Sequence, residues 1–469
     1  MDGNRGEHGM ADERWSRYFR SIIADLGSSR VRIDGRGIRE PVNTYLVRSL
    51  DGTALRFCMP ILLNRHLPEP VRRDPAGADG AIGVLIEAIK SGTRTDRALG
   101  PIAGAGTRFP RHCGKNIEPV TLIASPGAIG TDLWRPDHEN RLTDQGIRLL
   151  ARGGVPYPGP PSPGTIRAIT EDLQALLEGI EKAARSVPDD RLVAAWELSI
   201  DQKALRSRLP ELGLVSFIGD GVRPARRFTD FRCHHRIAGP KEGVNIPFRC
   251  PKELDPIEVE VQGSGRIVTG LGLRRREIFA ITGSNAQGKS TLLEGVVAGQ
   301  DDHAAGDGRE YLVSVRGIAR AEAGGRYLAG ADVSLFFRSL PPGLAGEPEY
   351  IYGQGSGSLV MAHEIQTALR KGAPLLIFDE DRAATNLLIP SCLHTGEVTP
   401  LSTLVATRRE AFGETALLFA ASSLDILTAG ADRILLLDRH EAGAITPGEF
   451  RKRLVRYLQE VGDHLNAGG

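Results

Sequence analysis

The chain contains 469 residues, enough for two or more domains, and its charges nearly cancel. Lys and Arg number 59 and Asp and Glu number 58, so a net charge of +1 indicates neither an obligate nucleic-acid partner nor a membrane surface. No stretch approaches the roughly 18–20 consecutive apolar residues that span a bilayer, and the N-terminus lacks the apolar segment of a signal peptide. Five scattered cysteines favour a reduced protein, and we therefore expect a cytoplasmic location without a membrane partner.

The order of sequence patterns predicts a flexible terminus followed by two domains. Residues 1–14 are polar and are expected to be flexible. Residues 15–250 are predicted to form an N-terminal α+β accessory domain. In it, the Pro/Gly-rich segment 153–164 is expected to be an extended loop, because proline fixes φ and lacks an amide donor, and apolar three-four spacing predicts helices over about 165–209. Over residues 251–469, strand-like and helix-like segments alternate, which predicts an α/β nucleotide-binding domain.

The segment 277–297 has the pattern of a phosphate-binding loop. An apolar run enters G-x-x-x-x-G-K-S and a helical stretch leaves it, which is the context that this motif requires. Gly283 and Gly288 let backbone amides surround a phosphate, and the helix directs its positive end at the same anion. Lys289 is expected to reach the β- and γ-phosphates, and Ser290 is expected to ligate Mg²⁺. The predicted nucleotide-binding residues, called the phosphate loop below, are Gly283, Ser284, Asn285, Ala286, Gln287, Gly288, Lys289, Ser290 and Thr291.

A second apolar run, residues 375–378, ends in two consecutive carboxylates, Asp379 and Glu380, called the carboxylate pair below. Asp379 is expected to hold Mg²⁺ directly or through water, and Glu380 is expected to act as general base on an attacking water. A third acid, Asp381, adds negative charge that a divalent cation would offset. Taken alone, the pattern also fits a strand that ends in a solvated acidic turn.

A Gly/Ser-rich turn precedes a predicted helix ahead of the carboxylate pair. Ser356, Gly357 and Ser358, called the signature turn below, open this helix, and Ser356 precedes Asp379 by 23 residues. The amides of the helix N-terminus predict a second anion site, although a Gly-Ser turn is also a common helix cap. In ABC-type ATPases a Ser-Gly-Gly signature opens a helix that leads to the carboxylate strand at this spacing, and the sequence resembles that arrangement. The resemblance implies a homodimer, in which the signature turn of one chain closes over the γ-phosphate held by the other.

Further segments are similar to one family, the predicted ATPases of the ABC class. These segments lie at 32–37, 213–221, 245–254, 270–293, 303–313, 332–343, 355–388 and 397–412. The resemblance implies an α/β P-loop NTPase of the ABC-ATPase type with an N-terminal α+β accessory domain. It also implies ATP and Mg²⁺ as ligands, and an RNA-associated role is among those proposed for the family.

The chain departs from the family pattern in four places. The family usually has Gly-Gly-Gly-aromatic-His before Gly-Lys-Ser, whereas this chain has residues 283–287. Leu359–Met361 replace the Thr-Ser-Gln that usually follows the signature turn, and Arg382 replaces a Thr after the acidic residues. Relatives also carry a longer C-terminal extension than a sequence that ends at Gly469. These differences indicate a divergent, C-terminally shorter member.

Two serines follow a predicted strand at the position of the ABC switch histidine. Ser422 is the candidate for positioning water or the γ-phosphate, with Ser423 beside it. Simple packing of the loop is the alternative interpretation.

A basic segment over residues 223–241 contains Phe228 and Phe231 among its arginines. Such a segment is a candidate surface for an RNA backbone and stacked bases, and a solvated charged loop is the alternative. The predicted RNA-contacting residues are Arg223, Arg226, Arg227, Arg232 and Arg236.

The sequence favours an ABC-type ATPase that binds and hydrolyses ATP with Mg²⁺ at composite sites of a homodimer and couples closure to the accessory domain. Lys289, Glu380 and Ser422 are its candidate catalytic residues. One alternative is a P-loop phosphotransferase that acts on a small molecule, motivated by the divergent N-terminal domain. Another is a nucleotide-gated binding scaffold with little turnover, motivated by Leu359 and the missing switch histidine.

Overall fold

The computed structural model describes residues 40–41, 46–48, 54–63, 65–93, 95–103, 121–122, 140–144, 146–156, 162–225, 246–393 and 396–467. These residues form two compact units. The first unit contains the described residues up to Ile200 together with His303–Ala305, and the second contains the other described residues from Asp201 onward. The predicted flexible terminus, residues 1–14, lies outside the described residues.

The first unit is built on an antiparallel sheet of six strands that differ in length. The strands are β1 (Glu40–Pro41), β2 (Leu46–Arg48), β3 (Ala54–Leu63), β4 (Thr121–Leu122), β5 (Arg141–Thr143) and β6 (Gly146–Pro156). Their order is β1-β2-β3-β6-β4, and β5 also pairs with β6. β3 and β6 pair along the whole of β3 and form the centre of the sheet.

Two long helices provide most of the apolar surface that packs on this sheet. The described residues up to Arg208 contain five helices, which are α1 (Glu69–Arg73), α2 (Ala78–Gly92), α3 (Gly100–Ala103), α4 (Pro163–Arg185) and α5 (Asp189–Arg208). The core residues that β3, β6, α2 and α4 share include Ile61, Leu63, Ile147, Leu149, Ile82, Leu85, Ile86, Leu173, Leu176 and Ile180. Three-four spacing of the apolar residues in α4 gives the helix one buried face, as the sequence predicts.

The prediction of a loop over residues 153–164 is wrong at both ends of that range. Residues 153–156 belong to β6, and α4 begins at Pro163. Proline is tolerated at both positions, because Pro156 is the last residue of its strand and Pro163 is the first residue of its helix. Neither position needs the amide donor that proline lacks. Residues 157–161, between the two elements, lie outside the described residues.

The second unit contains strands from three sheets and six helices in its described part. The strands are β7 (Leu214–Gly219), β8 (Ile257–Glu260), β9 (Ile267–Arg274), β10 (Ile278–Thr282), β11 (Leu312–Ser314), β12 (Ala319–Arg320), β13 (Arg326–Ala331), β14 (Ala345–Glu347), β15 (Tyr350–Gly355), β16 (Leu375–Asp379), β17 (Ala416–Ala421), β18 (Arg433–Asp438) and β19 (Glu441–Ile445). The helices are α6 (Lys289–Ala298), α7 (Gly357–Arg370), α8 (Thr385–Leu388), α9 (Leu401–Thr407), α10 (Asp425–Thr428) and α11 (Pro447–Ala467).

The central sheet of this unit has the strand order β12-β16-β17-β10-β18-β19. Every pairing in it is parallel except that of β19, which lies antiparallel to β18. Strands β10, β16 and β17 are almost continuous apolar runs, and their residues are buried on both faces. Parallel sheets are covered on both faces in this way, which explains why alternation of apolar and polar residues is absent from these strands.

Two antiparallel sheets complete the second unit. One has the order β11-β7-β9-β8, and the other has the order β13-β15-β14 and directly precedes α7. Because β7 pairs with β9, residues 214–219 belong to the second unit. The division between the units therefore falls after Ile200, within α5, and earlier in the chain than the predicted boundary between residues 250 and 251.

A buried ion pair fixes the start of the phosphate-loop strand against its neighbours. The Arg433 guanidinium donates to both carboxylate oxygens of Glu277 at 2.5 and 2.8 Å, and it also donates to the Leu254 and Gly272 carbonyls at 2.5 Å each. Arg433 and Glu277 are only 9% and 6% exposed. The guanidinium also lies 5.3 Å from the centre of the Phe279 ring. The side chain thus joins β18 to β9 and to the residue before β10.

Arg433→Met is expected to lower the free energy of unfolding by about 3 kcal/mol, because it leaves the Glu277 carboxylate buried without its partner. Urea unfolding followed by circular dichroism measures the change. The matched control is Arg453→Met, which removes an exposed ion pair with Glu449 and is expected to cost no more than about 0.5 kcal/mol. Equal losses for the two variants would show that the Arg433 cluster does not stabilise the fold.

No helix in the described ranges is both long enough and apolar enough to cross a lipid bilayer.

Candidate nucleotide-binding site

Three strands of the central sheet end at one edge, and the segments that follow them lie side by side. Thr282 at the end of β10 pairs in register with Ala421 at the end of β17, and Asp379 at the end of β16 pairs with Ala420. Because these strands are parallel, their carboxyl ends meet at the same edge of the sheet. The sheet order therefore brings the phosphate loop, the carboxylate pair and the serine turn (Ser422 and Ser423) together.

The phosphate loop has a backbone that requires glycine. Gly283 has a φ of +139°, and a Cβ added there would lie 2.2 Å from the Leu437 carbonyl oxygen of the neighbouring strand. Gly288 has a φ of +98° and caps the N-terminus of α6. Ala286 also has a positive φ, +61°, which non-glycine residues adopt only where the surrounding structure imposes it. The loop therefore has the tight curvature that directs successive amides at one anion.

Lys289 is held inside the loop rather than extended into solvent. Lys289 is only 8% exposed. Its ammonium group donates to the Gly283 and Ser284 carbonyl oxygens at 2.7 and 2.8 Å. These contacts place a positive charge at the mouth of the loop, above the first turn of α6. A nucleotide phosphate is the anion that a lysine in this position suits.

The hairpin turn between β18 and β19 contacts the phosphate loop. The sequence did not predict this contact. The Gln287 side-chain oxygen accepts a hydrogen bond from the His440 amide at 3.2 Å. Arg439 and His440 connect β18 to β19 and both have positive φ values, +49° and +68°. Two successive left-handed residues are the signal of a two-residue hairpin turn. The contact fixes Gln287, which the sequence predicts as a nucleotide-binding residue.

The carboxylate pair divides into two differently bonded groups. Asp379 accepts a 3.4 Å hydrogen bond from the Asp381 amide, and in the described ranges no Lys or Arg forms an ion pair with it. Ser290 is exposed in the first turn of α6. These hard oxygen donors fit Mg²⁺, which proteins bind through one or two carboxylates together with substrate phosphates. The part of the chain that the structure describes has no group of three or more His, Cys, Asp or Glu side chains suited to holding a metal ion.

Glu380 is held by three donors of the serine turn. The Ser422 and Ser423 amides both donate to its Oε2, the latter at 3.0 Å, and the Ser423 hydroxyl donates to its Oε1. Burial raises the pKa of Glu380, but these hydrogen bonds and the positive charge of Lys289 outweigh burial and hold the pKa below its ordinary value. Burial and the nearby Glu380 charge raise the pKa of Asp425, at the start of α10. These hydrogen bonds therefore favour the ionised form of Glu380.

The two serines of the turn have different partners. The Ser422 hydroxyl donates to the Asn285 side-chain oxygen of the phosphate loop at 3.2 Å, whereas the Ser423 hydroxyl bonds Glu380. The sequence singled out Ser422, and the structure places both serines between the phosphate loop and the carboxylate pair. Position next to Ser422 was the only sequence signal for Ser423.

The signature turn forms the start of α7. Ser356 is the N-cap of α7, its hydroxyl lies 3.2 Å from the Ser358 hydroxyl, and Gly357 is the first helical residue. Among the described residues, no hydrogen bond or ion pair joins the signature turn to the phosphate loop or to Glu380. The turn is thus a helix N-terminus with two hydroxyls, those of the exposed Ser356 and the half-buried Ser358, and the Ser356 side chain makes no capping hydrogen bond.

Glu322 and Ala323, which follow β12, contact both α7 and the carboxylate loop (residues 379–382), and no sequence pattern predicts these contacts. The Glu322 amide donates to the Glu364 carboxylate of α7 at 2.9 Å, and the Glu322 carboxylate accepts from Arg382 at 3.1 Å. The Ala323 amide donates to the Arg382 carbonyl at 2.7 Å. A Cβ added to Gly357 would lie 3.2 Å from Ala323. Arg382, a departure from the family pattern, therefore ties the carboxylate loop to this segment.

The apolar departure in the signature helix has a packing explanation. Leu359, Val360 and Met361 are 2%, 3% and 0% exposed and belong to the core against one face of the central sheet. Residues so deeply buried stabilise α7 by removing apolar area from water. The replacement of the usual polar residues thus affects the packing of α7, while Ser356 and Gly357 remain at its start.

The predicted RNA surface lies almost entirely outside the described residues. Arg223 is described, and its amide donates to the Gly308 carbonyl at 2.6 Å. The other four arginines, Arg226, Arg227, Arg232 and Arg236, lie outside the described ranges. RNA binding therefore stays a prediction from the sequence, as does the cytoplasmic location.

Two sequence comparisons identify the family to which the chain belongs. The sequence model of the ABC_ATPase family, a P-loop domain, matches residues 188–463. An uncharacterised protein of Methanocaldococcus jannaschii is 38% identical over 419 residues, which cover 89% of this chain and 91% of that protein.

Two similar solved structures come from ABC transporters. The ATP-binding cassette of an ABC transporter in its ADP conformation is 16% identical over 39% of this chain and 86% of that chain, with a TM-score of 0.27. A part of an ABC transporter complex from Clostridium perfringens is 14% identical over 54% of this chain and 99% of that chain, with a TM-score of 0.31. TM-scores this low add no support of their own. The family match and the 38% identical relative are sufficient, and the chain belongs to the ABC_ATPase family, with an ABC-type P-loop ATPase domain in its second unit.

Proposed function

We propose that the protein hydrolyses ATP at two composite sites formed by two copies of the chain. The observation that carries this proposal is the convergence of the phosphate loop, the carboxylate pair and the serine turn at one edge of the sheet. Among the described residues, no hydrogen bond or ion pair joins the signature turn of the same chain to any of them. One copy would hold the nucleotide through Lys289 and the loop amides. Ser356 and Gly357 of a second copy would close over the γ-phosphate with the N-terminus of α7.

The proposed reaction places the carboxylate of Glu380 next to an attacking water. The water oxygen forms a bond to the γ-phosphorus while one of its protons passes to Glu380, and the bond from the γ-phosphorus to the bridging oxygen breaks with its electron pair leaving on ADP. Lys289 and the amides of the phosphate loop offset the negative charge that shifts toward the β-phosphate. The depressed pKa of Glu380 keeps it ionised and ready to accept the proton.

Ser290 and Asp379 are proposed to hold Mg²⁺ together with the β- and γ-phosphates. When bound, the ion would offset phosphate charge and orient the γ-phosphoryl group. Ser290 supplies a hydroxyl from the first turn of α6, and Asp379 supplies a carboxylate that forms no ion pair with a described Lys or Arg. These two groups and the phosphates make up the kind of mixed oxygen site that Mg²⁺ prefers.

ATP would act as an adhesive between the copies, because its γ-phosphate contacts groups of both. Cleavage separates that charge from ADP and weakens the contact, so each turnover opens the pair. We assign the first unit as the accessory domain to which closure is coupled, since the continuous helix α5 spans the division between the units.

The test is the solution mass of Glu380→Gln with and without MgATP, measured by light scattering. The monomer has a mass of 50.6 kDa, and we expect MgATP to shift the variant to about twice that mass, since ATP stays uncleaved between the copies. Adding Lys289→Ala to this variant is the control and should prevent the shift. A monomer that binds ATP would overturn the two-copy site, and ATP consumption strictly dependent on an added small molecule would point to a phosphotransferase.

A further inference from the structure

We propose that Ser423 is a positioning residue that holds the Glu380 carboxylate in the orientation needed for general-base catalysis. The inference rests on the proposed ATPase function and adds a role for Ser423. The sequence pattern favoured Ser422 as the candidate instead. The serine turn would then act on the general base, Glu380, rather than on the nucleotide.

The first observation is the way the three donors divide between the two oxygens of Glu380. Oε2 accepts from two backbone amides, those of Ser422 and Ser423, and each carboxylate oxygen has room for about two such bonds. Among the donors in the described part of the chain, Oε1 accepts only from the Ser423 hydroxyl. Oε1 therefore keeps an accepting direction free, and it is the oxygen that can take the proton of the attacking water.

The second observation is the rigidity of the element that carries the donors. All six residues of β17, which leads directly into the serine turn, are buried, and β17 lies between β16 and β10 in the sheet. The turn is also bonded to the phosphate loop through the Ser422 hydroxyl and Asn285. Donors on so fixed a segment restrict the rotation of Glu380, and restricted placement of a base is worth orders of magnitude in rate.

The third observation separates the contributions of the two serines. Each gives one amide to Oε2, and no side-chain change removes these bonds. The Ser423 hydroxyl donates to Oε1, while the Ser422 hydroxyl bonds Asn285. Removal of the Ser423 hydroxyl should leave Glu380 bonded at Oε2 alone, free to turn about that oxygen.

The experiment is steady-state ATP hydrolysis by wild type, Ser423→Ala, Ser423→Thr and the control Ser207→Ala. Ser207 lies on the exposed side of α5, where its hydroxyl bonds the Ala204 carbonyl. Ser423→Ala is expected to lower kcat about tenfold, the cost of one hydrogen bond to a charged group, with KM for ATP within about twofold. Ser423→Thr, which keeps the hydroxyl, should restore most of kcat, and Ser207→Ala should match wild type.

A double-mutant cycle separates positioning from a general effect on the loop. In the Glu380→Gln background the base is already absent, so adding Ser423→Ala should change the residual rate less than twofold, which would support the inference. An equal tenfold loss in that background, or a Ser423→Thr variant as slow as Ser423→Ala, would overturn it. Full activity of Ser423→Ala beside an inactive Glu380→Gln would reject the role of Ser423 alone, whereas full activity of Glu380→Gln itself would reject the proposed function.

Discussion

Glu380→Gln is expected to lower the rate of ATP hydrolysis by a factor of about 10³ and to leave ATP binding nearly unchanged. Glutamine cannot take a proton from water at neutral pH, so the step that Glu380 is proposed to perform is lost. Its side-chain oxygen can still accept from the two amides of the serine turn, and its NH₂ group can donate to the Ser423 hydroxyl, so the local structure should persist. Phosphate release and calorimetric ATP binding measure the two effects.

The matched control for this substitution is Glu347→Gln. Glu347 is an exposed residue of β14, and the same loss of charge there should leave turnover at the wild-type rate. Wild-type turnover by Glu380→Gln would show that another group acts as base. Loss of ATP binding together with turnover would instead show that Glu380 supports the phosphate loop.

Lys289→Ala is expected to weaken ATP binding at least about 100-fold. The ammonium would make two or more charge-assisted hydrogen bonds to the phosphates, each worth about 1.5–3 kcal/mol, and a 100-fold change in affinity corresponds to about 2.7 kcal/mol. In the structure its contacts are to the Gly283 and Ser284 carbonyls of its own loop. Isothermal titration with MgATP measures the affinity directly.

Thermal unfolding provides the second readout for Lys289. ATP should raise the melting temperature of the wild type, because a ligand that binds only the folded state stabilises it, and it should not raise that of Lys289→Ala. Lys371→Ala, at the exposed C-terminal end of α7, is the matched control and should behave as wild type. Wild-type affinity of Lys289→Ala would place the nucleotide somewhere other than the phosphate loop.

Local sequence was sufficient to predict the elements of the site that are contiguous in the chain. The phosphate loop reads directly as strand, glycine turn and helix, because the conformation of Gly283 and Gly288 depends on residues within a few positions. Asp379 and Glu380 were predicted for the same reason, since an uninterrupted apolar run such as β16 must be a buried strand and must end where the acids begin. The α/β class followed from the alternation of these segments.

Pairing between distant segments could not be predicted in this way. The strand order places β17 between β10 and β16, and that order alone brings the serine turn to Glu380. The buried Arg433 with Glu277 is another example, because nothing near Arg433 in sequence indicates its partner. The prolines of residues 153–164 led to a loop prediction, whereas the pairing of β3 with β6 extends the strand to Pro156.

The sequence by itself determined the family, the phosphate loop and the carboxylate pair, since each depends on short-range patterns that chain chemistry imposes. Only the tertiary structure decided which donors hold Glu380, that the hydroxyl of Ser423 rather than that of Ser422 bonds it, and that Leu359–Met361 are core residues of α7. The physical reason is that hydrogen-bond partners and burial depend on which strands become neighbours. That choice is made by the packing of the whole sheet rather than by any one segment.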